Sequence, residues 1–151
     1  VLQHLSRDTL HSAHFLVPQY IYPDQTNVSY DNSGRWTLPP KNPYFSGKNV
    51  FLTNKEAISY SESVMGIVEH YNLAEIVGEP TAGANGNRNV FKLPGNYRIS
   101  WTGMKVVKHD SSQHHLIGIK PTVPVERTVE GIRRGQDEYL NKALEVIESS
   151  N

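Results

Sequence analysis

The chain has 151 residues, with 15 Lys and Arg against 15 Asp and Glu and a formal net charge of zero. That balance gives no electrostatic reason to expect nucleic acid or an anionic membrane as partner. The absence of cysteine excludes disulfides, thiolate metal sites and a cysteine nucleophile, while 37% hydrophobic and 20% charged residues describe ordinary globular material.

No run approaches the roughly 20 apolar residues of a spanning helix, and no signal peptide is visible. The length suits one domain over residues 1–151. A first residue of Val1 is what a piece of a longer protein would have.

Val1 to Leu10 spaces Leu2, Leu5 and Leu10 among polar residues, a short helix-like pattern. Ala13 to Tyr22 is rich in Phe, Leu, Val, Ile and Tyr and predicts a strand, with Pro18 at an edge or bulge. Pro23 to Ser46 is polar and proline-rich and reads as one long loop. Asn49 to Leu52 predicts a buried strand. Ala57 to Tyr71, with Val64, Ile67, Val68 and Tyr71 on one face, predicts a helix. Ala74 to Val77 is a second short strand, followed by a Gly/Asn-rich loop from Gly78 to Asn89.

Val90–Leu93, Tyr97–Trp101 and Lys105–Val107 read as strands joined by turns at Pro94-Gly95 and Thr102-Gly103. Ile117 to Val125 is extended. Val129 to Ser149 is the clearest helix, with Ile132, Leu140, Leu144 and Ile147 on one face. This order implies an α/β fold with a mixed sheet.

The chemistry centres on strand, turn and helix around Ser59. A serine at a helix start lies beside unpaired backbone N–H groups and the positive end of the helix dipole, where an oxyanion can be held. The same spacing has a plain structural reading: Ser59 and Glu62 fit an S-x-x-E capping box. Spacing alone does not decide between nucleophile and cap.

Residues Val50 to Gly86 then show a resemblance. The segment Ser59-Tyr60-Ser61-Glu62, followed by a helix, a strand and Gly78-Glu79-Pro80-Thr81-Ala82-Gly83, resembles the core motif of the tail-specific (C-terminal-processing) serine peptidases. LIGIKPTVPV, from Leu116 to Val125, is similar to that family's G-I-x-P-x-x-x-V segment. The match runs from about Asn49 to about Val125.

The resemblance implies the mixed α/β spiral of the ClpP/crotonase superfamily, with this chain as the C-terminal part of the catalytic domain. It implies Ser59 as nucleophile, with Ser61 the next serine to consider, and the Tyr60 N–H as an oxyanion donor. It implies Thr81, Gly83 and Asn85 as cleft residues that bind substrate. A peptide or protein is the expected substrate, a homo-oligomer is possible in this family, and no cofactor or metal is expected. Members are largely exported, so a periplasmic, cell-surface or secreted location is the expectation.

One departure matters. Family members place a general-base Lys directly after T-x-G, and here that position is Ala84. Arg88 is the only basic residue of the loop and will not deprotonate. The chain therefore resembles the Lys-free, tricorn-like branch, whose His and one Ser come from an upstream region; the alternative is a catalytically inactive, peptide-binding descendant. The acidic residue of that branch's tetrad aligns with His115, so the resemblance makes His115, or His114 beside it, the candidate for the fourth role or for scaffolding near the site. The run His109, Asp110, His114 and His115 fits no strong zinc spacing, so no metal site is read there.

Overall fold

The computed structural model describes residues 1–19, 23–24 and 26–149. Its strands are Leu10–His11 (β1), His14–Gln19 (β2), Ser29–Asp31 (β3), Thr37–Leu38 (β4), Val50–Thr53 (β5), Glu75–Gly78 (β6), Arg88–Lys92 (β7), Arg98–Thr102 (β8), Lys105–Val107 (β9) and Val123–Pro124 (β10). The α-helices are Tyr60–Tyr71 (α1), Val129–Arg133 (α2) and Glu138–Glu148 (α3). The architecture is mixed α/β, as the order of predicted elements requires.

The frame is a parallel sheet in the order β10-β6-β5, with Val50 to Thr53 in register with Glu75 to Gly78. Parallel neighbours need a crossover, and α1 supplies it. Its apolar face buries Met65, Ile67 and Val68 with Leu2, Leu10, Ile76 and Ile119. Asn72 ends the helix in the left-handed conformation (φ 50, ψ 44), which Asn tolerates better than most residues. A second sheet, β3-β2-β9, is antiparallel and carries a smaller core of Ala13, Phe15 and Val106. Trp36 packs against both cores.

Several expectations are corrected. Val1 to Leu10 holds only a 3₁₀ turn at Leu2–His4, and Leu10 opens β1. Three leucines spaced three and five apart do not make a helical stripe. The strand over Ala13–Tyr22 starts at His14 and is followed to Gln19; Tyr20 to Tyr22 lie outside the described residues. The Pro23–Ser46 loop carries β3, which is exposed, and β4, whose Leu38 packs against the main core; both are too short to show an alternating pattern. In Ile117–Val125 only Val123–Pro124 is strand. The final helix is two helices. Gly135, at φ 67, breaks it, and Thr128 and Asp137 each cap one piece by accepting a backbone N–H.

The strands β5 and β6 close on each other at Gly78. It has φ 129, and a Cβ there would lie 2.0 Å from the Thr53 carbonyl oxygen. Gly34, by contrast, has no heavy atom within 4 Å of such a Cβ. Gly78→Ala should lower the free energy of unfolding by about 1–3 kcal/mol or more. Gly34→Ala should change it by less than about 0.5 kcal/mol. Denaturant melts of the two variants check this.

Candidate active site

The turn from Asn54 to Ser59 joins β5 to α1. It is closed by Ala57 N–H on Asn54 O (3.0 Å) and Glu56 N–H on Asn54 Oδ1 (3.0 Å). The Gly78–Asn89 loop folds back over it. Ala82 N–H donates to Ala57 O at 3.1 Å, and Ser59 N–H donates to Ala84 O at 2.8 Å. Two backbone bonds thus fasten the loop to the helix start.

Glu62 locks this junction from inside. It is 1% exposed. Its Oε1 accepts from the Thr81 hydroxyl and the Gly83 N–H, both at 2.7 Å. Its Oε2 accepts from Ala84 N–H at 2.9 Å and Ser59 N–H at 3.2 Å. Burial by itself would raise this carboxyl. The His114 ring, the Thr81 hydroxyl and the Gly83 N–H outweigh burial and hold it below its ordinary value of 4.5. Thr81 Oγ1 in turn accepts from Ile119 N–H at 2.8 Å, which ties the loop to the core.

A second buried pair lies beside the first. Ser63 Oγ accepts from Asn85 Nδ2 at 3.0 Å, and Asn85 Oδ1 accepts from Gly86 N–H at 2.8 Å. Ser63 N–H donates to Ser59 O at 3.0 Å. The backbone on both sides of Ser59 is therefore held by the buried Glu62 and Ser63 together with the Ala84 carbonyl.

Ser59 itself is exposed. Its backbone has φ 55 and ψ −116, whereas an ordinary N-cap sits in the extended region. For a non-glycine residue this is a costly conformation, of the kind that persists only where surroundings impose it. Ser59 opens on a cleft of about 280 Å³, walled by Phe15, Trp36, Tyr60, Asn85 and Met104. Tyr60 is the first residue of the helix, and among the described residues no acceptor meets its N–H. The arrangement offers a serine hydroxyl beside a free backbone donor.

The other expected site residues fall as follows. Thr81, Gly83 and Asn85 are buried and gather around Glu62 and Ser63, with Asn85 also lining the cleft. His115 is turned elsewhere: its Nε2 accepts from Val106 N–H at 2.9 Å. It lines a separate groove with Tyr30 and Trp101. Burial, then the neighbouring His114, lowers the His115 pKa. His114 is 2% exposed, with Nε2 3.5 Å from Glu62 Oε1. That is too long for a full hydrogen bond, and the nitrogen has no other partner among the described residues.

Sequence reading missed Glu62 as the hub, and it missed Ser63; His114, read together with His115 as a substitute for the acid or as scaffolding near the site, lies beside Glu62. The signal was present for Glu62, since a carboxylate three residues past a serine suits either role. Nothing local marks Ser63 as buried.

The cleft lining contains no His or Lys and one carboxylate, Asp31. The Ser33 hydroxyl and N–H hydrogen-bond that carboxylate and lower its pKa, so it is a weak base. Among the described residues no three His, Asp or Glu side chains gather where they could hold a metal ion. His109 stacks on His70, with ring centroids 4.0 Å apart.

Comparisons with known proteins bear on the fold and the family. Among curated proteins no match was found. Mature CPAF complexed with lactacystin is 28% identical over 71% of this chain and 22% of its own, with a TM-score of 0.64. The photosystem II D1 C-terminal processing protease is 18% identical over 91% of this chain and 35% of its own, with a TM-score of 0.56. The tricorn protease is 18% identical over 88% of this chain and 12% of its own, with a TM-score of 0.62. The chain thus spans well under half the length of these solved relatives, and the two at 18% identity speak for the fold alone. Residues 5–125 match the profile of Peptidase family S41. With most of its length inside that match, the chain belongs to peptidase family S41.

Proposed function

We propose that this chain carries the nucleophile of a serine-type peptidase that cuts a peptide or protein through an acyl-enzyme on Ser59. The observation that carries the reading is the Ser59 backbone. Its φ 55 and ψ −116 depart from the extended backbone of an ordinary N-cap, and the exposed Ser59 lines the cleft. The Ser59 oxygen attacks the scissile carbonyl and its proton passes to a base. The Tyr60 N–H donates to the oxyanion, the protonated amine leaves, and water then hydrolyses the acyl ester.

The base in this reading comes from residues outside these 151. Position 84 is alanine, His114 is enclosed, and His115 bonds Val106. The branch of the family without the loop lysine fits this, as does the spiral fold of the ClpP/crotonase superfamily. A periplasmic, cell-surface or secreted location is part of the same proposal. A second reading rests on Ala84 and on the cleft without His or Lys: a descendant that binds peptides without cutting them.

A fluorophosphonate serine probe separates the two readings. The whole protein containing this chain should label, and Ser59→Ala should abolish labelling while the melting temperature holds. No labelling of the folded protein, together with retained peptide binding, selects the second reading. Labelling that survives Ser59→Ala moves the nucleophile to Ser61.

Glu62 gives an independent outcome. In Glu62→Gln the amide nitrogen meets N–H donors where an oxygen stood, so stability should fall by about 1–3 kcal/mol. The folded carboxyl titrates below 4.5. Its contribution is therefore complete above that pH and is lost as pH falls through the lower folded value. Denaturant melts from neutral to acid pH should show this loss in the parent and a flatter profile in Glu62→Gln.

A further inference from the structure

Among the described residues the β7–β8 hairpin pairs only with itself, and every residue from Arg88 to Thr102 is exposed. Its register sets Asn89 opposite Trp101 and Phe91 opposite Ile99, and Leu93 N–H donates to Tyr97 O at 2.9 Å. Side chains alternate along each strand, so Phe91, Leu93, Tyr97, Ile99 and Trp101 share one face. They are 54%, 39%, 71%, 51% and 50% exposed. Arg88, Lys92 and Arg98 occupy the other face, and among the described residues no carboxylate pairs with them.

The sequence around the hairpin is charged in one sense. From Ala82 to His109 there are five Lys and Arg and no Asp or Glu, although the whole chain is neutral. An exposed apolar patch of this kind marks an interaction surface. Lys108, one of the five, is paired with Glu69, but a second copy of the chain would still bring the same unpaired Arg88, Lys92 and Arg98. An anionic bilayer brings the complementary one. Phe, Tyr and Trp rings suit the headgroup level, and the long stems of Lys92 and Arg98 can reach past a two-stranded ribbon to lipid phosphates.

We propose that the β7–β8 hairpin is a peripheral membrane-docking element, which seats its aromatic face in the interface of an anionic bilayer. No helix among the described residues is long and apolar enough to cross a membrane, so this is contact with the surface. The proposal is independent of the chemistry at Ser59.

Co-sedimentation with vesicles tests it. The protein should bind vesicles of equimolar phosphatidylcholine and phosphatidylglycerol and leave phosphatidylcholine vesicles largely unbound. Binding should weaken in ~1 M salt, where the Debye length is about 3 Å. Lys92→Glu with Arg98→Glu should lower the partition coefficient about tenfold or more, as should Phe91→Ser with Ile99→Ser. Trp101 emission should shift to shorter wavelength on binding, and Trp101→Phe should remove the shift. Both double variants change exposed residues, so their melting temperatures should match the parent.

Failure to bind anionic vesicles overturns the proposal. So does binding that survives both double variants, or equal binding to uncharged vesicles. A monomer–dimer equilibrium abolished by Phe91→Ser with Ile99→Ser, without vesicle binding, assigns the face to self-association instead.

Discussion

The buried Glu62 carboxylate is the constraint on which the site depends. A carboxylate taken out of water must be met by donors, or folding fails to offset its desolvation. Here four donors converge on it from three places: the helix start (Ser59), the loop (Gly83 and Ala84) and a loop side chain (Thr81). Satisfying that one group forces the loop after β6 to close over the turn before α1. The closure is what brings Asn85, Gly86 and Asn87 to the cleft wall.

The same closure explains the backbone of Ser59. Its N–H is shared between Ala84 O and Glu62, and its carbonyl accepts from Ser63 N–H. Both ends of the residue are fixed by groups tied to the loop. The positive φ is then imposed by neighbours and not chosen by the residue. Strain of this sort is tolerated where surroundings over-determine it. A simple helix cap has no need of it. Ser59 thus stands at the N-cap, with Glu62 accepting its N–H, in a backbone conformation that capping alone does not require.

Legibility followed period and length. The frame of β5, α1 and β6 was readable because apolar spacing of 3.6 residues and short apolar runs are direct consequences of burial. Ser59 and the loop at Thr81 and Gly83 were readable through their motif. The direction in which residues point was not. Thr81 and Gly83 read as substrate contacts, yet their polar groups face inward to Glu62. Gly135 ended a helix whose apolar face continues past it, because a positive φ overrides a stripe. β3 and β4 were invisible because strands of three and two residues carry no alternation.

Ala84 shows a position whose side chain can change while the junction keeps its shape. Every structural duty at this position is borne by backbone: its N–H donates to Glu62 and its carbonyl accepts from Ser59. The side chain is exposed and bears none of that load. A lysine there would add chemistry without altering the scaffold, and an alanine removes the chemistry without unlocking it. The framework around Ser59 is therefore separable from the group that activates it. That separation lets one geometry serve with a base from the loop, with a base from another segment, or with none. It also makes the scaffold's integrity poor evidence of activity, so the decision rests with the reactivity of the Ser59 hydroxyl.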